Sequence, residues 1–301
     1  MATYVECGRC RLLLDPGAAL GPNRFGLPPA EQEWEALKRA NDRISGYATR
    51  ARFVFISHYH EDHFRYDPGI YAGRSVWAKD PCHMINPRQG QRAQELWKSL
   101  KSRCRVDSAE GKAYEFPDAI LKASPPLAHG SDGTGLGYVV ALTVTDRDDG
   151  FRFVFASDVQ GPASPVATAY LIRERPHLLY LSGPPTYLEH QIRSGVVEQT
   201  IANLLGIIEA TGCLVILDHH IVRDPRYRER LARVWETGKV VTAAGYLGLS
   251  DACLEASRNL LWAAERKPGA RAPARSLSPS GSSSMISSRT PMPRAKGWRT
   301  R

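Results

Sequence analysis

The sequence predicts an α/β fold in which sheets are covered by helices, and three observations carry this. Short apolar runs bounded by turn residues alternate with longer amphipathic segments. Many of the β-type runs lie in the middle of the chain, and βα units follow them. Several runs also end alike, with a polar residue able to bind metal just past the last apolar one. That is the pattern expected where strand ends of a parallel or mixed sheet open onto one cleft.

Buried strands are predicted at residues 12–14, 53–56, 139–144, 151–155, 178–181 and 213–217, with Asp148-Asp149-Gly150 as a hairpin turn. Helices are predicted over residues 29–45, with Trp34, Leu37, Ala40 and Ile44 on one face, and over 89–100, with Trp97. Further helices fit 189–210, 224–237 and 250–265, and no internal repeat is evident. The first strand runs into Asp15, the second into His58 and the fourth into Asp158, while the last runs into Asp218-His219-His220.

The 301 residues, 43% hydrophobic and 24% charged, have the composition of an ordinary globular chain. No run approaches the roughly 18 apolar residues of a membrane span, so no membrane partner is expected. The first six residues lack the basic and apolar blocks of a secretory signal, which makes a cytoplasmic protein the default. The net charge of +9 is unevenly spread. Lys267, Arg271, Arg275, Arg289, Arg294, Lys296, Arg299 and Arg301 face no acidic residue in their segment, and removing those eight leaves +1 for residues 1–266. The basicity therefore belongs to a Ser/Pro/Arg-rich tail, 267–301, which is expected to be disordered. It argues against polyanion steering by the fold itself. Six scattered cysteines form no disulfide framework, and Cys7-Gly8-Arg9-Cys10 lacks the second pair of a structural zinc site.

Residues His58, His60, Glu61, Asp62 and His63 put three imidazoles and two carboxylates into six positions after a buried strand. His58 and His60, at spacing two, can point to the same side of a loop, while Asp62 and His63 begin another turn and can face a second ion. Imidazoles with carboxylates suit zinc, manganese or iron rather than calcium. A polar surface loop is the plain alternative, and four candidate ligands so close together speak against it. His129, beside Gly130 and Gly133, would alone be an ordinary loop histidine, and Asp158 alone could cap a helix starting near Pro162. His83, His177 and His190 lack such context and read as structural. Tyr187 follows a strand; it reads as part of a turn or as a hydrogen-bond donor to substrate.

His58-x-His60-x-Asp62-His63 resembles the signature of the metallo-β-lactamase-fold hydrolases, and Asp15, His129, Asp158 and His219 or His220 follow that superfamily's motif order over roughly residues 4 to 260. The Gly183-Pro184-Pro185-Thr186-Tyr187 run and Asp218-His219-His220-x-x-Arg223-Asp224 look most like an archaeal-type branch. The resemblance implies a four-layer αββα sandwich with two mixed sheets flanked by helices, occupying residues 1–266. It implies two divalent ions, zinc before manganese or iron. One would be held by His58, His60 and His129, the other by Asp62, His63 and the late histidine, with Asp158 bridging and Asp15 bracing the ligand loop. His219 is favoured over His220 because His219 with Arg223 resembles the His-x-x-x-Arg run of tRNA 3′-processing relatives. The chain starts close to its first strand, which suggests a late start and a shortened strand; the tail also departs from the pattern.

The function so implied is hydrolysis by a metal-bridging hydroxide, with Asp62 orienting it. The expected substrate is a small ester, thioester, lactone or phosphodiester. A nuclease related to tRNA 3′-processing enzymes is the alternative, with nucleic acid the less favoured partner. An iron-dependent dioxygenase-like activity would keep the same ligands. Substrate identity and oligomeric state are not encoded in these motifs.

Overall fold

The computed structural model describes residues 2–266 and the backbone of 299–300; the rest of the expected tail lies outside the described residues. The first sheet contains β1 (Thr3–Cys7), β2 (Cys10–Leu14), β3 (Phe53–Ile56), β4 (Ser75–Ala78) and β5 (Arg105–Ser108). β1 and β2 form an antiparallel hairpin, and β2 to β5 run parallel. The second sheet begins with β6 (Ala113–Glu115) and β7 (Ala119–Ala123). A two-stranded ribbon, β8 (Leu127–Ala128) with β9 (Tyr138–Val139), interrupts it. It resumes with β10 (Leu142–Asp146), β11 (Arg152–Ala156), β12 (Leu178–Leu181), β13 (Leu214–Leu217) and β14 (Val240–Val241). Its order is β14-β13-β12-β11-β10-β7-β6, parallel from β11 to β14 and antiparallel on the other side. A last two-residue strand, β15 (Arg299–Thr300), pairs with the outer edge of β1.

Side-chain alternation explains the layering. In β2, Leu12 and Leu14 point into the core between the sheets and Leu13 points out; in β3, Phe55 points in while Val54 and Ile56 point out. In β11, Phe153 and Phe155 face the same inter-sheet core and Val154 faces away. Because both faces are apolar, both must be covered. Helices α1 (Glu31–Ala48) and α2 (Pro87–Leu100) cover the first sheet through Ile44, Ala48, Ala93, Leu96 and Leu100. Helices α3 (Pro165–Glu174) and α4 (Val196–Thr211) cover the second through Ala167, Leu171, Leu204 and Ile208. The expected αββα sandwich with two mixed sheets is the architecture observed.

Several predicted elements differ. On α1, Trp34 is 55% exposed and the buried residue of the first turn is Glu33, because Arg258 reaches it from the far end of the chain. The strand predicted over 139–144 divides into β9 and β10. The helix predicted over 189–210 starts only at Val196, after a 3₁₀ turn at Thr186–Gln191. That predicted over 224–237 is broken into α5 (Tyr227–Arg230) and α6 (Ala232–Trp235) at Leu231, which leaves helical geometry and is buried. After α7 (Ala243–Tyr246), the last helix is the short α8 (Arg258–Glu265) rather than 250–265. Cys7 and Cys10 face each other across the first hairpin, and burial holds both thiols above their usual range. No helix of the described residues is long and apolar enough to cross a membrane.

Candidate metal centre

Four strands deliver the site. Asp15 follows β2, His58 follows β3 by one residue, Asp158 follows β11 and Asp218-His219-His220 follows β13. His129 is brought in by the β8–β9 ribbon, where its amide donates to the Gly137 carbonyl. Asp15 and His219 both adopt left-handed backbone (φ 46° and 59°), which few residues other than glycine tolerate and which clusters at functional sites. Asp218 supports the second of these: one of its oxygens accepts from the His219 amide and the other from the Ala243 amide.

Asp158 Oδ2 is the centre of the arrangement. It lies 3.3 Å from His129 Nε2, 3.4 Å from His58 Nε2, 3.5 Å from His63 Nε2 and 3.8 Å from His220 Nε2. Its other oxygen accepts from the Ser157 hydroxyl. To one side, His60 Nδ1 sits 3.1 Å from His58 Nε2. To the other, Asp62 Oδ2 is 3.1 Å from His219 Nε2 and its Oδ1 is 3.7 Å from His63 Nε2. Two groups of potential ligand atoms result, His58–His60–His129–Asp158 and Asp62–His63–His219; Asp158, His219 and His220 form a further set, and Asp15, His58 and His63 a fourth. The sequence favoured His219 over His220, and both imidazoles enter the site, His219 against Asp62 and His220 against Asp158.

Hydrogen bonds orient these rings. The Ser57 amide and hydroxyl donate to the two oxygens of Asp15 (2.7 and 2.6 Å). With its proton committed there, Ser57 Oγ accepts from His58 Nδ1 (2.9 Å), leaving the Nε2 lone pair facing Asp158. His63 Nδ1 likewise donates to Asp15 Oδ2 (2.8 Å), turning Nε2 inward. Gly17 permits this approach: a Cβ there would stand 2.3 Å from the Phe64 amide nitrogen. Gln89 secures His60: its carbonyl accepts from the Tyr59 amide, its amide donates to Leu136, and the same nitrogen lies 3.3 Å from His60 Nε2. His63 Nε2, both His129 ring nitrogens and His219 Nε2 are buried without a hydrogen-bond partner. Buried polar atoms are normally paired, so converging orphans of this kind fit divalent ions. Among the described residues no cysteine joins such a group.

The electrostatics differ across the centre. Burial, reinforced by neighbouring imidazoles, pushes His58 down to about 4 and His60 to about 2, so both are neutral at physiological pH. Burial also lowers His220 to about 4 and takes His219 well below its usual range. Burial opposes charge on His63 as well, but Asp158, Asp62 and Asp15 surround it and raise it to about 9. Burial would raise the Asp62 and Asp158 carboxyls; facing His63 and the other imidazoles, both instead lie well below the usual carboxylate range.

The sequence placed His58, His60, Asp62, His63, His129, Asp158 and His219 in the site, with Asp15 behind it, and the structure brings all of them together. Tyr187 lies at the edge, its hydroxyl 3.4 Å from Arg223 Nη1. Arg223 Nη2 lies 3.5 Å from Asp62 Oδ2. Ser57, Gln89, Arg24 and Glu255 were not singled out, and Asp218 was noted only as a strand-end residue, not as the support of His219. Ser57 and Asp218 border the ligands in sequence and so left a signal; Gln89, Arg24 and Glu255 come from distant segments and left none. His83 pairs with Glu110, His177 Nδ1 accepts from the Arg152 amide and His190 meets Gln191, all away from the centre.

No family profile matches the chain. A UPF0282 protein of Thermococcus gammatolerans is 40% identical over 289 residues, covering 91% of this chain and 94% of that protein. Among solved structures, Tm1679, a metal-dependent hydrolase of the β-lactamase superfamily, is 12% identical with a TM-score of 0.45, over 80% of this chain and 96% of its own. Human tRNase Z, short form, is 13% identical with a TM-score of 0.43, over 73% of this chain and 85% of its own.

Proposed function

The chain belongs to the archaeal UPF0282 family, and we propose that it is a binuclear metal-dependent hydrolase of small-molecule substrates. The observation that carries this reading is the convergence of the two donor groups on one carboxylate oxygen of Asp158. His58, His60 and His129 would hold one ion, Asp62, His63 and His219 the other, and Asp158 would be shared. A donor set of imidazoles and two carboxylates suits zinc first, then manganese or iron. When bound, such ions bring the pKa of a water toward neutrality and stabilise negative charge developing on an ester, thioester, lactone or phosphodiester. Asp62, held anionic among His63, His219 and Arg223, would orient the attacking water by accepting a hydrogen bond from it at a carboxylate oxygen. Asp15 and Ser57 keep the ligand rings aimed, so the site needs little reorganisation.

The +1 charge of residues 1–266 favours a small substrate over a nucleic acid. The experiment is metal analysis of the purified chain, coupled to a panel of generic ester, thioester and phosphodiester substrates. Two equivalents of transition metal with metal-dependent turnover support the reading. A chain with no metal and no uptake on titration overturns it, and iron with oxygen consumption instead of hydrolysis selects the dioxygenase-like alternative.

A further inference from the structure

Beside the metal centre, two guanidinium groups converge from opposite ends of the chain. Arg24 stacks on the Tyr187 ring, 4.1 Å from its centroid, and its Nη2 donates to the Arg223 carbonyl (2.6 Å). Glu255 lies between the two arginines, its Oε1 3.3 Å from Arg24 Nε and its Oε2 3.5 Å from Arg223 Nε. The Arg24 contact is not aligned as a hydrogen bond, and Arg24 Nε is buried without a hydrogen-bond partner. Arg223 meets Tyr187 and Asp62 at 3.4 and 3.5 Å, the long limit of such contacts. Apart from Asp62, which the metal reading commits to an ion, one carboxylate thus faces two guanidinium groups, and a positive charge is left over beside Asp62.

The position of Arg24 is built. Arg24 and Leu27 pair across a two-residue turn, and the turn residues Phe25 and Gly26 both have positive φ (56° and 71°), as a type I′ turn requires. Arg258, wholly buried, grips this turn from behind, donating to the Leu27 and Gly21 carbonyls while forking onto both oxygens of Glu33. Gly21 leaves room for Glu255 here: a Cβ would stand 2.6 Å from Glu255 Oε1, so any side chain would displace that carboxylate. A buried ion pair of this kind costs desolvation, which fits a structure whose purpose is to hold a recognition group in place.

We propose that Arg24, Arg223 and Tyr187 form a subsite for an oxyanion carried by the substrate, a phosphate or carboxylate group lying next to the bond that is hydrolysed. This rests on the hydrolase reading and narrows its substrate to anionic compounds. Guanidinium forks match both oxyanions, and the Tyr187 hydroxyl adds a donor. Glu255 holds the arginines until the substrate anion competes with it.

The test is calorimetric titration of inorganic phosphate, and separately acetate, into the full chain, metal-loaded and chelator-treated. Arg24→Ala is expected to weaken anion binding by about tenfold or more, the scale of one charge-assisted hydrogen bond, in both forms. Arg24→Lys should recover part of the loss, and Glu255→Gln should tighten binding severalfold by removing the internal competitor. Metal content should stay unchanged in Arg24→Ala. A stronger response to phosphate than to acetate assigns the group as phosphate, and the reverse assigns it as carboxylate. Equal anion binding by wild type and Arg24→Ala, or no anion binding at all, overturns the proposal. Failure to take up metal would instead defeat the hydrolase reading, while the chelator-treated titration would still report on the arginines.

Discussion

The two groups of donors that meet at Asp158, the halves of the candidate metal centre, are built on opposite electrostatic principles. On one side His58 and His60 are kept neutral by burial, and polar uncharged groups, Ser57 and Gln89, set their rings. On the other, His63 is enclosed by Asp15, Asp62 and Asp158, and Arg223 stands behind Asp62. His58 and His60 offer lone pairs without competition from protons; His63 must exchange a proton for an ion. On the binuclear reading proposed above, two ions held so differently would differ in affinity and in pH response, and only the second half adjoins Arg223.

The comparison breaks most completely at the shared residue. Asp158→Ala should empty both positions and reduce activity by more than about 10³-fold, well beyond the 10- to 100-fold typical of an outer partner. Metal analysis and turnover measure this, with circular dichroism confirming the fold. Loss of one ion alone would show that Asp158 is not shared. Next in size, His219→Ala should remove the ion beside Asp62 and leave the other, whereas His220→Ala should retain two ions. The opposite pattern of metal content would make His220 the ligand. Smaller effects separate the braces: Asp15→Asn should weaken the Asp62–His63 position, which it holds directly, by about 10- to 100-fold and the His58 side less, through Ser57. Gln89→Ala should weaken the His58–His60 position by a similar factor and leave the other. Competition with a chromogenic chelator resolves the two classes, and equal losses at both positions in either variant would remove the distinction.

Much of this centre was legible because its ligands sit in local patterns. A two-residue spacing after a strand, and a polar residue just past each apolar run, survive in the one-dimensional sequence. The layers were legible for the same reason, since Leu12–Leu14 and Phe53–Ile56 announce strands by composition. What was hidden depends on contacts between remote segments. Arg258 reverses the inside and outside of the first turn of α1 by burying Glu33, so Trp34 ends up on the surface although the helical period favours it for the core. Leu231 breaks a periodic segment because its burial outweighs helical continuity. Gln89 has no spacing relation to His60, which it approaches, nor Arg24 to Arg223 and Tyr187, which it meets.

The finest division between the halves is in pH. His63 in the metal-free fold titrates near 9, so below that value a proton occupies a ligand position and metal affinity of the Asp62–His63 half should rise about tenfold per pH unit between 6.5 and 9. His58 and His60, already neutral above about 4, contribute no such slope over that range. The same groups act on the stability of the metal-free protein with opposite signs. His63 is raised above its ordinary 6.5, so its contribution is full below 6.5 and fades as pH climbs through 9. His58 is depressed, so the folded state binds fewer protons than the unfolded one, and stability drains as pH falls from 6.5 toward 4. Thermal melts of the metal-free chain should therefore decline on both sides of about pH 6.5, and His63→Gln should flatten the alkaline limb while leaving the acid limb in place. An alkaline limb unchanged in that variant would show that His63 is not the charged member of the pair of halves.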